Sequence, residues 1–149
     1  MPKSAKPLRS ILLVAAIVGV IGYVWWGMRA EDAREAQDLQ AQLEQLEVPG
    51  ATSSSTVAFT KGRCSSGDLV SLNRATREVS SSISPDLLGA QIEEQMRSDG
   101  WASVEGKATP PSLYMRSSDE RFTLRGVIEP SGVGSTVALE LSGTAPTCY

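Results

Sequence analysis

Ser84-Pro85-Asp86-Leu87-Leu88-Gly89-Ala90-Gln91-Ile92-Glu93-Glu94-Gln95-Met96-Arg97-Ser98-Asp99-Gly100-Trp101 is a helix with both ends written into it. Ser84 suits the N-cap, Pro85 the first turn, and Asp86 the positive end of the helix dipole, while Asp99-Gly100 supplies the stop. Leu88, Ile92 and Met96 are spaced four apart and share a face, and Glu93 with Arg97 forms an i,i+4 pair on the wet side. Such a face needs a sheet to pack on. Trp101, directly after the stop, is expected to anchor the helix to that sheet, because large aromatics dominate burial in small domains. Tyr114, Phe59 and Phe122 are expected in the same role.

Downstream, strands are predicted at Trp101 to Glu105, Leu113 to Arg116, Phe122 to Ile128 and Thr136 to Leu141, with Thr109-Pro110-Pro111 between the first two. Ser117-Ser118-Asp119-Glu120 and Ser131-Gly132-Val133-Gly134 are polar, Gly-containing connectors of the kind that join antiparallel neighbours. Alternate positions of Phe122 to Val127 and Val137 to Leu141 are apolar, as in strands with one wet face. Upstream, Thr56 to Lys61 is a β-type run followed by a turn at Cys64 to Gly67. Leu69 to Ile83 fits both periods, and the Ser80-Ser81-Ser82 run decides for a strand with a solvated serine surface. The resulting class is α+β, with one helix over a small antiparallel sheet in a domain spanning 56–149.

Ahead of that domain, Ala30 to Glu47 is rich in Ala, Glu, Gln and Leu, with Ala36, Leu39, Leu43 and Leu46 in alternating steps of three and four. This is one apolar seam on a helix, read as a stalk at 29–48, and 49–55 as a flexible linker. The functional alternative is a short coiled coil joining copies through Leu39, Leu43 and Leu46. Further back, Ile11 to Met28 carries no formal charge, follows Lys3, Lys6 and Arg9, and closes on Tyr23, Trp25 and Trp26. It reads as a transmembrane helix at 11–28, its aromatics at the membrane interface and residues 1–10 forming a cytoplasmic tail. The expected localisation is a single-pass cell-membrane protein, with the bilayer as one partner and the C-terminal domain extracytoplasmic. No small-x-small site after the run suits a cleaved signal peptide.

The chain of 149 residues has a net charge of −3, and setting aside Lys3, Lys6 and Arg9 leaves 11 basic against 17 acidic residues, a balance of −6. A nucleic-acid role, which needs a basic stripe, is excluded on that ground. Cys64 and Cys148 lie far apart, and a structural disulfide is preferred over a metal site or a redox pair, given no histidine and no Cys-x-x-Cys spacing. No cofactor is expected.

The same lack of histidine removes the commonest hydrolase constellations. Ser53 to Ser55 and Ser80 to Ser82 have no activating partner, and Lys61 and Lys107 lack a serine motif. Glu93 and Glu94 point apart, and Asp119 and Glu120 share a turn, so neither pair opposes as an acid/base couple. Gly132-Val133-Gly134 joins two strands and is not a phosphate loop.

Cys64 early in the domain, the helix end Arg97-Ser98-Asp99-Gly100-Trp101, the hairpin at Ser118 to Arg121 before an aromatic strand residue, and the run into Pro146-Thr147-Cys148 together resemble short membrane-anchored extracytoplasmic proteins of high-GC Gram-positive bacteria. The likeness covers the outer domain. It implies the α+β layout and the disulfide and brings no catalytic residues. Three functions stay open: a non-enzymatic accessory protein with an envelope partner, a domain binding a small ligand or wall fragment, and a histidine-free envelope enzyme.

Overall fold

The computed structural model describes residues 6–66 and 68–143, without the side chains of 6–15, 28, 29 and 32. The chain divides into two compact units, Met1–Arg34 and Glu35–Tyr149. Helix α1 (Lys6–Gln45) is followed by strands β1 (Ala51–Ser54), β2 (Ala58–Thr60), β3 (Arg63–Ser65), β4 (Asp68–Ser71) and β5 (Arg74–Ser81). Then come helix α2 (Pro85–Ser98) and strands β6 (Ala102–Ser103), β7 (Leu113–Arg116), β8 (Thr123–Ser131) and β9 (Gly134–Ser142).

Among the described residues no helix is long and apolar enough to cross a membrane. This overturns the transmembrane helix expected at 11–28, and with it the signal anchor and the single-pass localisation. Tyr23, Trp25 and Trp26, expected at a membrane interface, are exposed residues of α1.

In the second unit the main sheet runs β1-β5-β9-β8-β7-β6, with β2 also on β5, and every pairing is antiparallel. α2 carries the chain from β5 to the far edge, and β6 to β9 meander back until β9 pairs with β5. β3 and β4 form a separate hairpin. Register places Ala75 opposite Leu141, Val79 opposite Val137, Leu124 opposite Leu141 and Met115 opposite Leu124. These positions share one face because side chains alternate along a strand. That face is buried beneath Leu88, Ile92 and Met96 of α2.

The second cover for the core is a surprise. Leu39 and Leu43 of α1, with Leu46 and Val48 just after it, belong to the same cluster at 0, 1, 9 and 7% exposure. The seam read as a stalk or coiled coil is occupied within its own chain. The compact unit accordingly begins at Glu35, and two helical segments, not one, cover the sheet.

Polar groups fasten this segment down. Arg77 of β5 donates from Nη1 to the Leu43 and Leu46 carbonyls, 3.0 Å each, and from Nε to Ser54 Oγ at 2.7 Å. A helix end leaves carbonyls unsatisfied and favours a cation; α1 has no basic residue in its last turn, so a strand supplies it. Asn73, 1% exposed, donates to Glu35 Oε2 at 2.9 Å and accepts the Gly62 N–H at 2.7 Å. The Gly143 N–H in turn reaches the Asn73 carbonyl.

The expected linker at 49–55 contains β1, paired with β5. Ser81 is buried, not solvated: its Oγ donates to the Pro49 carbonyl at 2.7 Å and accepts the Ile83 N–H. Gly89 lets α2 lie against the Pro111 carbonyl, where a Cβ would collide.

Candidate functional site

Most residues singled out from sequence are structural. Cys64 is exposed in β3 and disulfide-bonded; Cys148, its expected partner, lies outside the described residues. Phe59 packs on the core and Phe122 is 5% exposed within it. Tyr114 is half-buried and alternates to the opposite face from Leu113 and Met115. Glu93 pairs with Arg97 at 2.7 Å, and Ser103 Oγ also hydrogen-bonds Glu93. Among the described residues, no three His, Cys, Asp or Glu side chains are grouped to hold a metal ion.

A cleft of about 410 Å³ opens at one end of the second unit, where the ends of α1 and α2 meet the β7–β8 hairpin. The site is assembled from three local structures. α2 ends on Gly100 at φ +89, a left-handed conformation that glycine adopts without a Cβ penalty, and the Trp101 N–H returns to the Met96 carbonyl at 3.0 Å. This fold-back turns Trp101 into the cleft wall. The end of α1 contributes Leu43 to the floor and Gln42 and Gln45 to the rim, and Leu46, the residue after it, adds to the floor.

The hairpin supplies the third wall and is braced internally. Ser117 Oγ donates to Asp119 Oδ1 at 2.6 Å, the Arg121 N–H donates to the same oxygen at 3.1 Å, and the Phe122 N–H donates to Ser117 Oγ at 3.0 Å. The Ser117 hydroxyl first, and the Arg121 amide second, hold the Asp119 carboxyl below the ordinary carboxylate range, since both bonds favour its charged form. The Arg121 guanidinium stands 5.2 Å from the Phe122 ring centroid, within cation–π range.

The floor is apolar: Leu43, Leu46, Met96, Phe122, Leu124 and Leu141, with Trp101 half-buried beside them. The rim is polar and free of lysine and arginine. Among the described residues, the side chains of Gln42, Gln45, Gln95, Asp99 and Ser118 have no hydrogen-bond or ion-pair partner. A second concavity of about the same volume lies on the uncovered sheet face, over Thr76, Val127, Ala138 and Glu140, with no aromatic ring in its lining. There Arg74 and Glu140 pair at 3.6 Å.

No known protein family, curated protein or solved structure matches this chain. The cleft is therefore read on its own chemistry. Sequence reasoning placed Trp101 next to the helix stop and Asp119 in a turn, yet left out all three glutamines. Gln42 and Gln45 lie three apart beside Leu43 and Leu46, a pattern that marks a seam's polar flank but not what it faces.

Proposed function

We propose that the Glu35–Tyr149 unit is a non-enzymatic binding domain and that its end cleft holds a small ligand. One observation carries the reading: an apolar floor with an aromatic wall is ringed by polar side chains that find no partner within the described chain. Ligand sites have this composition and a volume of about 300–1,000 Å³. An acid–base or nucleophilic role is disfavoured by chemistry, since the chain has no histidine, the commonest activating base for a serine. A small ligand is preferred to a docked protein because the apolar area lies in a recess and not on a flat face.

The test is an amide and indole NMR titration of the full-length protein with benzyl alcohol, benzylamine and benzoate. At least one probe is expected to move the Trp101 indole, the Gln95 side-chain amide and residues 117–122 as a group. Residues 125–129 stay still. Shifts that scatter over the surface, or none at all, overturn the reading.

A further inference from the structure

The hydrogen-bonding inventory of the rim restricts what the cleft can hold. Gln42, Gln45 and Gln95 each present two N–H donors and a carbonyl acceptor, Ser118 presents a hydroxyl that does both, and Asp99 only accepts, as does Asp119, which already holds the Ser117 hydroxyl and the Arg121 N–H. A phosphate or carboxylate is acceptor-only; it would leave the Asp99 carboxylate and the glutamine carbonyls unmatched and meets no cation in the lining. A protonated amine is donor-only and would leave every glutamine N–H unmatched. Both mismatches cost affinity, because a polar group buried by a ligand without a partner loses its water.

A neutral solute bearing several groups that donate and accept at once satisfies such a rim, and hydroxyls are the common group of that kind. The floor adds a second condition. Trp101 presents a half-buried indole beside Met96 and Leu46, which suits a ring having an apolar C–H face as well as polar edges. A pyranose meets both conditions, and about 410 Å³ is room for one or two such rings.

We infer that the cleft binds a neutral polyhydroxylated ring, a sugar unit, with its C–H face on Trp101 and its hydroxyls bonded to the glutamine amides and Asp99. This rests on the cleft being a binding site.

The test compares one ring size across chemistries on the full-length protein: glucose, N-acetylglucosamine and cellobiose against cyclohexanol, cyclohexylammonium and cyclohexanecarboxylate, followed by NMR shifts of the cleft residues. At least one sugar is expected to bind about tenfold or more tightly than each cyclohexyl compound, a gap of roughly 1.4 kcal/mol. Gln45→Ala, on exposed helix surface, removes rim bonding without touching the core and should weaken the sugar about three- to tenfold while leaving cyclohexanol unchanged. Trp101→Phe keeps a ring in the wall and should weaken it less than Trp101→Leu does.

If cyclohexylammonium or cyclohexanecarboxylate binds as well as every sugar, the inference falls while the cleft remains a binding site. Cyclohexanol matching the sugars has the same meaning. If no compound moves a cleft resonance, the inference and the binding reading fall together.

Discussion

α2 and the last turns of α1 make the same kind of contact by different routes. Both lay a leucine-type seam on one face of the sheet, and both are essentially fully buried there: Leu88 and Ile92 at 0%, Leu39 and Leu43 at 0 and 1%. α2 is bounded by its own residues, Pro85 in the first turn and Asp99-Gly100 at the close. The α1 segment has no basic residue in its last turn, and its carbonyls are satisfied from β5, through Arg77. A seam shows that a helix must bury one side. It does not show whether the cover is another chain or its own sheet.

The equivalence can be broken most decisively in the core. Leu39→Ala with Leu43→Ala should cost as much as Ile92→Ala with Leu88→Ala, roughly 2–5 kcal/mol per residue, a large part of a stability of about 5–15 kcal/mol. Denaturant titration reads both pairs. A loss below about 1 kcal/mol for the α1 pair would restore that segment to a stalk outside the core.

The helix ends sharpen the contrast. Arg77→Ala removes charge-assisted bonds to two half-buried carbonyls and should cost about 1–3 kcal/mol. Arg97→Ala breaks the exposed Glu93 pair, with side chains 62 and 32% exposed, and an exposed 3.3 Å bond to Ser103 Oγ, and should cost about 0.5 kcal/mol or less. Equal losses would mean that Arg77 is no more than a surface charge.

Gly89→Ala separates helix propensity from packing. Alanine should help an isolated helix by up to about 1 kcal/mol, but at this position its Cβ meets the Pro111 carbonyl. A net destabilisation of about 1–2 kcal/mol is expected. A stabilised variant would show that α2 can move off that loop at no cost.

The smallest effect is expected at Asp119. Its carboxyl titrates below the ordinary range, so its bonds to Ser117 and Arg121 stabilise the hairpin above the unfolded-state pKa and are lost as pH falls through the folded one. Thermal melts from neutral to acid pH should show a shallower acid decline in Asp119→Asn than in the parent. Parallel curves would remove the carboxylate from the hairpin's stability.

Much of the second unit was legible where local rules and burial agree. The ends of α2, the Gly132-Val133 turn of the β8–β9 hairpin and the alternation in β9 follow from caps, turn residues and a period of two. Three readings missed for one shared reason. Ala51 to Ser54 is polar and short, and becomes β1 only because β5 lies beside it. Ser81 looks like solvated surface but is buried because the Pro49 carbonyl needs its hydroxyl. The cleft was least legible, since its walls come from residues 42–46, 95–101 and 117–124, brought together only by the crossing of α2 and the return of β7 and β8.

The sequence by itself determined the elements: an amphipathic α2, strands alternating along one wet face, a leucine seam before Gly50, and a chain without imidazole chemistry. These depend on neighbours within a turn or two, where side-chain period and backbone capping act. Tertiary structure decided what each surface meets: that the seam closes the core of its own chain, that Arg77 reaches a helix end 31 to 34 residues away, and that glutamines on two helices ring one apolar recess. Those outcomes depend on long-range antiparallel register, which sets whole faces against one another and which no local pattern carries.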